Sequence, residues 1–215
     1  MTEQRNRGLL FALALLAWFL SFAILARYGT WSTFAVVGVV LTIVLLRVRA
    51  VPLALLRPSG ANVSTGLLVG LVMVVGTHWV YGWLSALVPG VRVSMGQLLQ
   101  LLNVAGFSAS QRASLVVLIA SCEEVLFRGS LPGDSKRAAL TLRAPNGREL
   151  ARVICLAAFY AGTTAPLGSA LLASCAFLCG TLWGALRITT RSLVAPVLAH
   201  VVWDLGVLLV WPLLA

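Results

Sequence analysis

The chain has 215 residues, of which 60% belong to the AVILMFWYC set and only 10% are charged, and its mean hydropathy is +0.99. A water-soluble domain carries about 25% charged residues, so a soluble enzyme, a disordered chain and a disulfide-stapled scaffold are excluded and an integral membrane protein is expected. The net charge of +10 comes from 16 Lys and Arg against 6 Asp and Glu. It reads as topogenic rather than as a nucleic-acid footprint, because basic residues collect at the cytoplasmic ends of membrane spans.

A span needs about 20 mostly apolar residues. Residues 8–26 and 28–46 are uncharged and apolar, giving two helices broken near Tyr28 and Gly29. The first is read as a retained helix, since its apolar run exceeds a signal-peptide core and another span follows at once. Pro58, Ser59, Gly60 and Asn62 mark a loop before a third span at 65–88. Residues 93–111 carry Gln97, Gln100, Asn103 and Gln111 among leucines, the pattern of an interfacial or re-entrant helix. A fourth span covers 113–127, interrupted only by Glu123 and Glu124. The long polar segment Arg128 to Arg152 follows, and then the uncharged run 153–186, which Pro166 and Gly168 divide into a helical hairpin. A last span covers 193–213.

The expectation is one all-α domain over residues 1–215, a polytopic transmembrane helix bundle with about seven spans plus one interfacial or re-entrant helix. With the N-terminus inside and the C-terminus outside, 13 of the 16 basic residues lie inside, leaving Arg27, Arg92 and Arg112 outside. The flipped arrangement reverses that ratio and is rejected. The cysteines Cys122, Cys155, Cys175 and Cys179 lie in apolar runs without CxxC spacing, which suits packing better than metal binding.

Of the six acids, Glu123, Glu124 and Asp204 fall within spans, where an ionised side chain costs about 2.5–3.5 kcal/mol at mid-span. Such residues need a reason to be there. Glu124 and Arg128 are four apart and share a helix face, so they are expected to pair. Glu123 points about 100° away and has no such partner. It is therefore the candidate general base, with the bland alternative that both acids merely pin the helix at the interface. His200 and Asp204, also four apart, share a face on the last span, where the carboxylate can fix the imidazole. The other histidine, His78, lies towards the outer half of its span and reads as structural. There is no HExxH metal motif, GxSxG elbow or Walker A loop, and no metal or cofactor is expected.

The run Glu123-Glu124-Val-Leu-Phe-Arg128-Gly129 resembles the EExxxR motif of the CPBP family, the intramembrane CAAX-protease and bacteriocin-processing proteins. Thr190-Arg191-Ser192-Leu193, Ala195-Pro196 and His200 to Asp204 resemble that family's closing motif. The resemblance covers a core of about 113–213. Its middle motif, FxxxH, corresponds to Phe159 through Thr163, so Thr163 stands where a second catalytic histidine is expected.

The resemblance implies a metal-independent, glutamate-dependent intramembrane endopeptidase. Glu123 would activate a water and His200, supported by Asp204, would stabilise the oxyanion. Thr163 would occupy the third catalytic position, with Glu124, Arg128 and Phe159 in support. The implied partner is a membrane-anchored protein or peptide substrate in the lipid bilayer, with C-terminal processing or sorting, as in myxosortase-like branches, as the role. A multi-pass protein of a bacterial inner membrane is expected, with no nucleic-acid partner. The rivals are a non-catalytic partner or immunity protein that kept the fold, supported by Thr163, and a transporter, which the lack of internal repeats disfavours.

Overall fold

The computed structural model describes residues 2–29, 31–102, 107–131 and 145–213, and these are helical with no strand among them. Helices α1 (Thr2–Tyr28) and α2 (Trp31–Arg47) form a hairpin turned at Gly29, whose φ of 65° suits a residue without Cβ. A short 3-10 turn, Leu53–Leu56, leads to α3 (Gly60–Leu87), and α4 is Val91–Leu102. Helix α5 (Ala109–Glu123) runs without interruption into a π-helical turn, Glu124–Arg128. Helices α6 (Gly147–Thr163) and α7 (Ala170–Thr190) are the expected hairpin. Pro166 lies in a 3-10 turn between them and Gly168, with φ of 67°, redirects the chain. Helix α8 (Val194–Leu205) ends in a second π turn, Gly206–Val210.

The helix starts follow from capping. Ser59 and Ser169 accept hydrogen bonds from the backbone N–H of Asn62 and Leu172. Ser108 with Gln111, and Asn146 with Glu149, form reciprocal capping boxes at α5 and α6. These polar ends bracket segments too apolar to be covered by water.

Four helical segments are long and apolar enough to cross a membrane: Gly8–Tyr28, Gly60–Leu87, Gly147–Leu167 and Ala170–Thr190. Trp31–Arg47 and Val194–Val210 are apolar but shorter. Large apolar side chains face outward along them, among them Leu68, Leu71, Val72 and Val75 of α3. That surface suits hydrocarbon, and the protein is a membrane protein.

The most extensive helix pair is α3 against α8. A Cβ on Gly66 would lie 2.6 Å from the Ala195 carbonyl oxygen, and one on Gly70 2.7 Å from Val202 Cβ. Gly66 and Gly70 therefore form a GxxxG seam through which the two backbones approach. Leu55 ties the N-terminal half to the start of α8, its carbonyl accepting the Leu193 N–H at 2.8 Å. On the other side Trp18, Phe22 and Phe34 make a buried aromatic cluster. Helix α2 meets α5 where Gly38 faces Cys122.

Candidate active site

The π turn carries the densest polar chemistry of the described residues at full burial. Its wide backbone ring closes with the Gly129 N–H on the Glu124 carbonyl at 3.1 Å, and residues 124–128 are all buried. Such turns are rare and concentrate at functional sites. Glu124 and Arg128 face each other as expected, with Arg128 Nη1 3.2 Å from Glu124 Oε1, an ion-pair contact.

Helix α8 brings His200 to this turn. Its Nδ1 is 2.9 Å from Glu124 Oε1, and its Nε2 is 3.8 Å from Glu123 Oε2 and 3.4 Å from Asp204 Oδ2. Carboxylate oxygens only accept, so both ring nitrogens are placed to donate. Glu123, Glu124, Arg128 and His200 are buried, while Asp204 keeps a side-chain exposure of 20%. The structure therefore brings Glu123, Glu124, Arg128, His200 and Asp204 together. The sequence places Asp204 as the support of His200, yet Glu124 makes the shorter contact.

Two neighbours escaped the sequence reading. Tyr160 of α6 donates its phenolic hydroxyl to Glu123 Oε2 at 2.7 Å, so Glu123 has a partner after all. Trp183 of α7 stacks on the His200 ring, with centroids 3.6 Å apart and planes 19° off parallel. Arg128 lies over the Tyr160 ring at 4.8 Å and over Trp183 at 5.4 Å. Gly180 makes room for this, since a Cβ there would come within 3.0 Å of Arg128 Nη2. Only the position of Tyr160, next to Phe159 in the middle motif, signalled any of them. Trp183 sits in an apolar run where nothing distinguishes it from packing.

Thr163, where the resemblance expects a histidine, makes no hydrogen bond to Glu123 or His200. Its hydroxyl donates to the Tyr160 carbonyl at 2.7 Å. Thr163 and the exposed Phe159 instead line an apolar recess of about 470 Å³ with Leu15, Leu16 and Phe19 of α1. His78 contacts the Val74 and Trp211 carbonyls at 2.9 Å each and stacks on Trp211, remote in sequence from the cluster. The cysteines of the described residues are free thiols.

A buried glutamate pair, an arginine on the next turn and a histidine four residues from an aspartate, held by apolar helices, are the side chains that the resemblance to the CPBP family singles out. Residues 105–206 match the family model described as "Type II CAAX prenyl endopeptidase Rce1-like". The match contains every residue of the cluster. The family is one of CAAX-type intramembrane proteases, which implies a membrane-associated peptide or protein substrate. No curated protein and no solved structure matched the chain.

Proposed function

We propose that the protein is an intramembrane endopeptidase in which Glu123 activates water against a peptide bond of a membrane-anchored protein or peptide. The observation that carries this reading is the 3.8 Å interval between Glu123 Oε2 and His200 Nε2. A water set to one side of that interval lies within hydrogen-bond distance of both atoms. Glu123 then takes the water's proton, the water oxygen bonds to the scissile carbon, and His200 donates to the resulting oxyanion. Collapse breaks the C–N bond, and the proton on Glu123 passes to the leaving nitrogen. Glu124, itself paired with Arg128, holds the imidazole, and Asp204 steadies its Nε2 side.

The basic residues support an N-in, C-out arrangement of about seven spans, in which the site opens towards the inner face. Processing of a C-terminal segment fits such a position. A non-catalytic partner is the second reading, favoured by Thr163 in place of a histidine. The test is cleavage of reporter peptides by liposome-embedded protein. Glu123→Gln keeps the side-chain shape but cannot take the proton, and a missing general base costs about 10²–10⁴ in rate. Equal cleavage by wild type and Glu123→Gln would move the assignment to the non-catalytic partner.

A further inference from the structure

The hydroxyl of Thr163 is committed to the Tyr160 carbonyl, which leaves the third catalytic position without a donor. Tyr160 stands three residues earlier on the same helix, about 4.5 Å back along the axis and about 60° around it. Its longer side chain delivers a hydroxyl to Glu123 Oε2 at 2.7 Å. We infer that Tyr160 supplies a second oxyanion donor for the hydrolysis, beside His200. This rests on the hydrolase reading above.

The geometry supports a donor built to work on the reacting oxygen. Tyr160 and His200 approach the same oxygen of Glu123, at 2.7 and 3.8 Å. A substrate oxygen beside that atom therefore meets two donors arriving from α6 and α8. The phenol ring cannot drift, being held edge-on by Phe127 at 4.9 Å and Trp183 at 6.4 Å, with the Arg128 guanidinium over its face. A Cβ on Gly180 would stand 3.1 Å from Tyr160 Cδ1, so the glycine sets the ring's depth.

The hydrogen bond follows the charge. In the resting site the phenol donates to the Glu123 carboxylate. When Glu123 takes the water's proton and the water oxygen bonds to carbon, the negative charge moves to the former carbonyl oxygen. Hydrogen bonds to an ionised acceptor are roughly twice as strong as those to a neutral one. The Tyr160 O–H then rotates about its C–O bond from the neutral acid to the oxyanion and keeps its own proton. As the C–N bond breaks, the leaving nitrogen takes the proton from Glu123, and the re-formed carboxylate recaptures the phenol.

The test uses the full chain in liposomes with two reporters, a farnesylated CAAX peptide and an unprenylated peptide with a hydrophobic C-terminal tail. Tyr160→Phe keeps the ring and its packing. It is expected to lower kcat about 10²–10³-fold, the usual loss for one oxyanion donor, with KM little changed. Adding Thr163→His to Tyr160→Phe should recover about tenfold or more of that loss, since it returns a donor to the neighbouring turn. A purely structural tyrosine would show a lowered unfolding midpoint and no such rescue. Tyr160→Phe at wild-type kcat, or a loss that Thr163→His leaves untouched, overturns the inference. If Tyr160→Phe fails to accumulate, Tyr160→His carries the test, and its expected result is activity above that of Glu123→Gln. Equal inactivity of those two overturns the inference. Wild type that cleaves neither reporter overturns the hydrolase reading itself. An active wild type with an inactive Glu123→Gln and a fully active Tyr160→Phe removes Tyr160 alone.

Discussion

Glu124 and His200, 76 positions apart, meet at 2.9 Å between Oε1 and Nδ1. The same Glu124 oxygen faces Arg128 Nη1 at 3.2 Å, so one carboxylate binds the π turn to itself and to α8. Glu124→Gln should therefore cost both stability and rate. Breaking a buried pair by removing one partner costs about 3–5 kcal/mol, read as a lowered unfolding midpoint in detergent. Glu124→Arg combined with Arg128→Glu should not recover activity, because it sets a guanidinium against the imidazole. Recovery by that double variant would show that the His200 contact is dispensable.

Asp204 is partly exposed and 3.4 Å from His200 Nε2. Asp204→Asn is expected to reduce kcat by about tenfold and to lower the unfolding midpoint less than Glu124→Gln does, since Asp204 keeps a side-chain exposure of 20% whereas Glu124 is fully buried. Stopped or initial-rate assays beside a melting curve separate the two effects. A large drop in the midpoint would mean that Asp204 carries structure instead.

The GxxxG seam makes a purely mechanical prediction. Gly70→Leu must push α3 away from Val202 and Ala199 of α8, and overpacking of this kind costs about 1–3 kcal/mol. Because His200 adjoins Ala199, catalysis should fall with stability. By contrast, Gly82→Leu, where a Cβ meets no atom within 4 Å, should be silent in both assays. Equal behaviour of the two variants would argue that α3 and α8 do not touch in the bilayer.

Topology is open to reporter fusions. A C-terminal alkaline phosphatase should be active outside, and a fusion within residues 134–148 should be inactive. The reverse pattern would invert the orientation derived from the basic residues and the direction in which the site opens.

Much of this bundle was legible in the sequence because apolar runs, capping residues and breakers act locally. Gly29, Pro166 and Gly168 turn the chain where expected, and Glu123, Glu124, Arg128, His200 and Asp204 converge. Pairing within one helix, as for Glu124 and Arg128, follows from spacing alone. What stayed hidden needed three dimensions. Tyr160 and Trp183 reach the site from α6 and α7, and no local pattern says which apolar helices will be neighbours. The share of His200 taken by Glu124 was likewise invisible, as was the π turn, since its wider ring has no residue signature. The Gly66–Gly70 seam also escaped the sequence reading, since only its contact with α8 marks it as a packing face.

The π turn has a consequence for how this chain can change length. Between Glu124 and Gly129 the backbone accommodates one more residue per hydrogen-bonded ring than an α-helix does. Deleting a residue among Val125, Leu126 and Phe127 would let the ring close as ordinary α-helix, and the chain from Gly129 onward would keep its register because the turn gives up the residue it carries in excess. Arg128 would move from four to three residues after Glu124, a spacing at which helical pairs still meet. Its approach to Glu124 and to the rings of Tyr160 and Trp183 would shift although no charged residue had been lost. This stretch is thus the place where the bundle can lose one residue without turning everything beyond it, and what such a loss disturbs is the seating of the arginine.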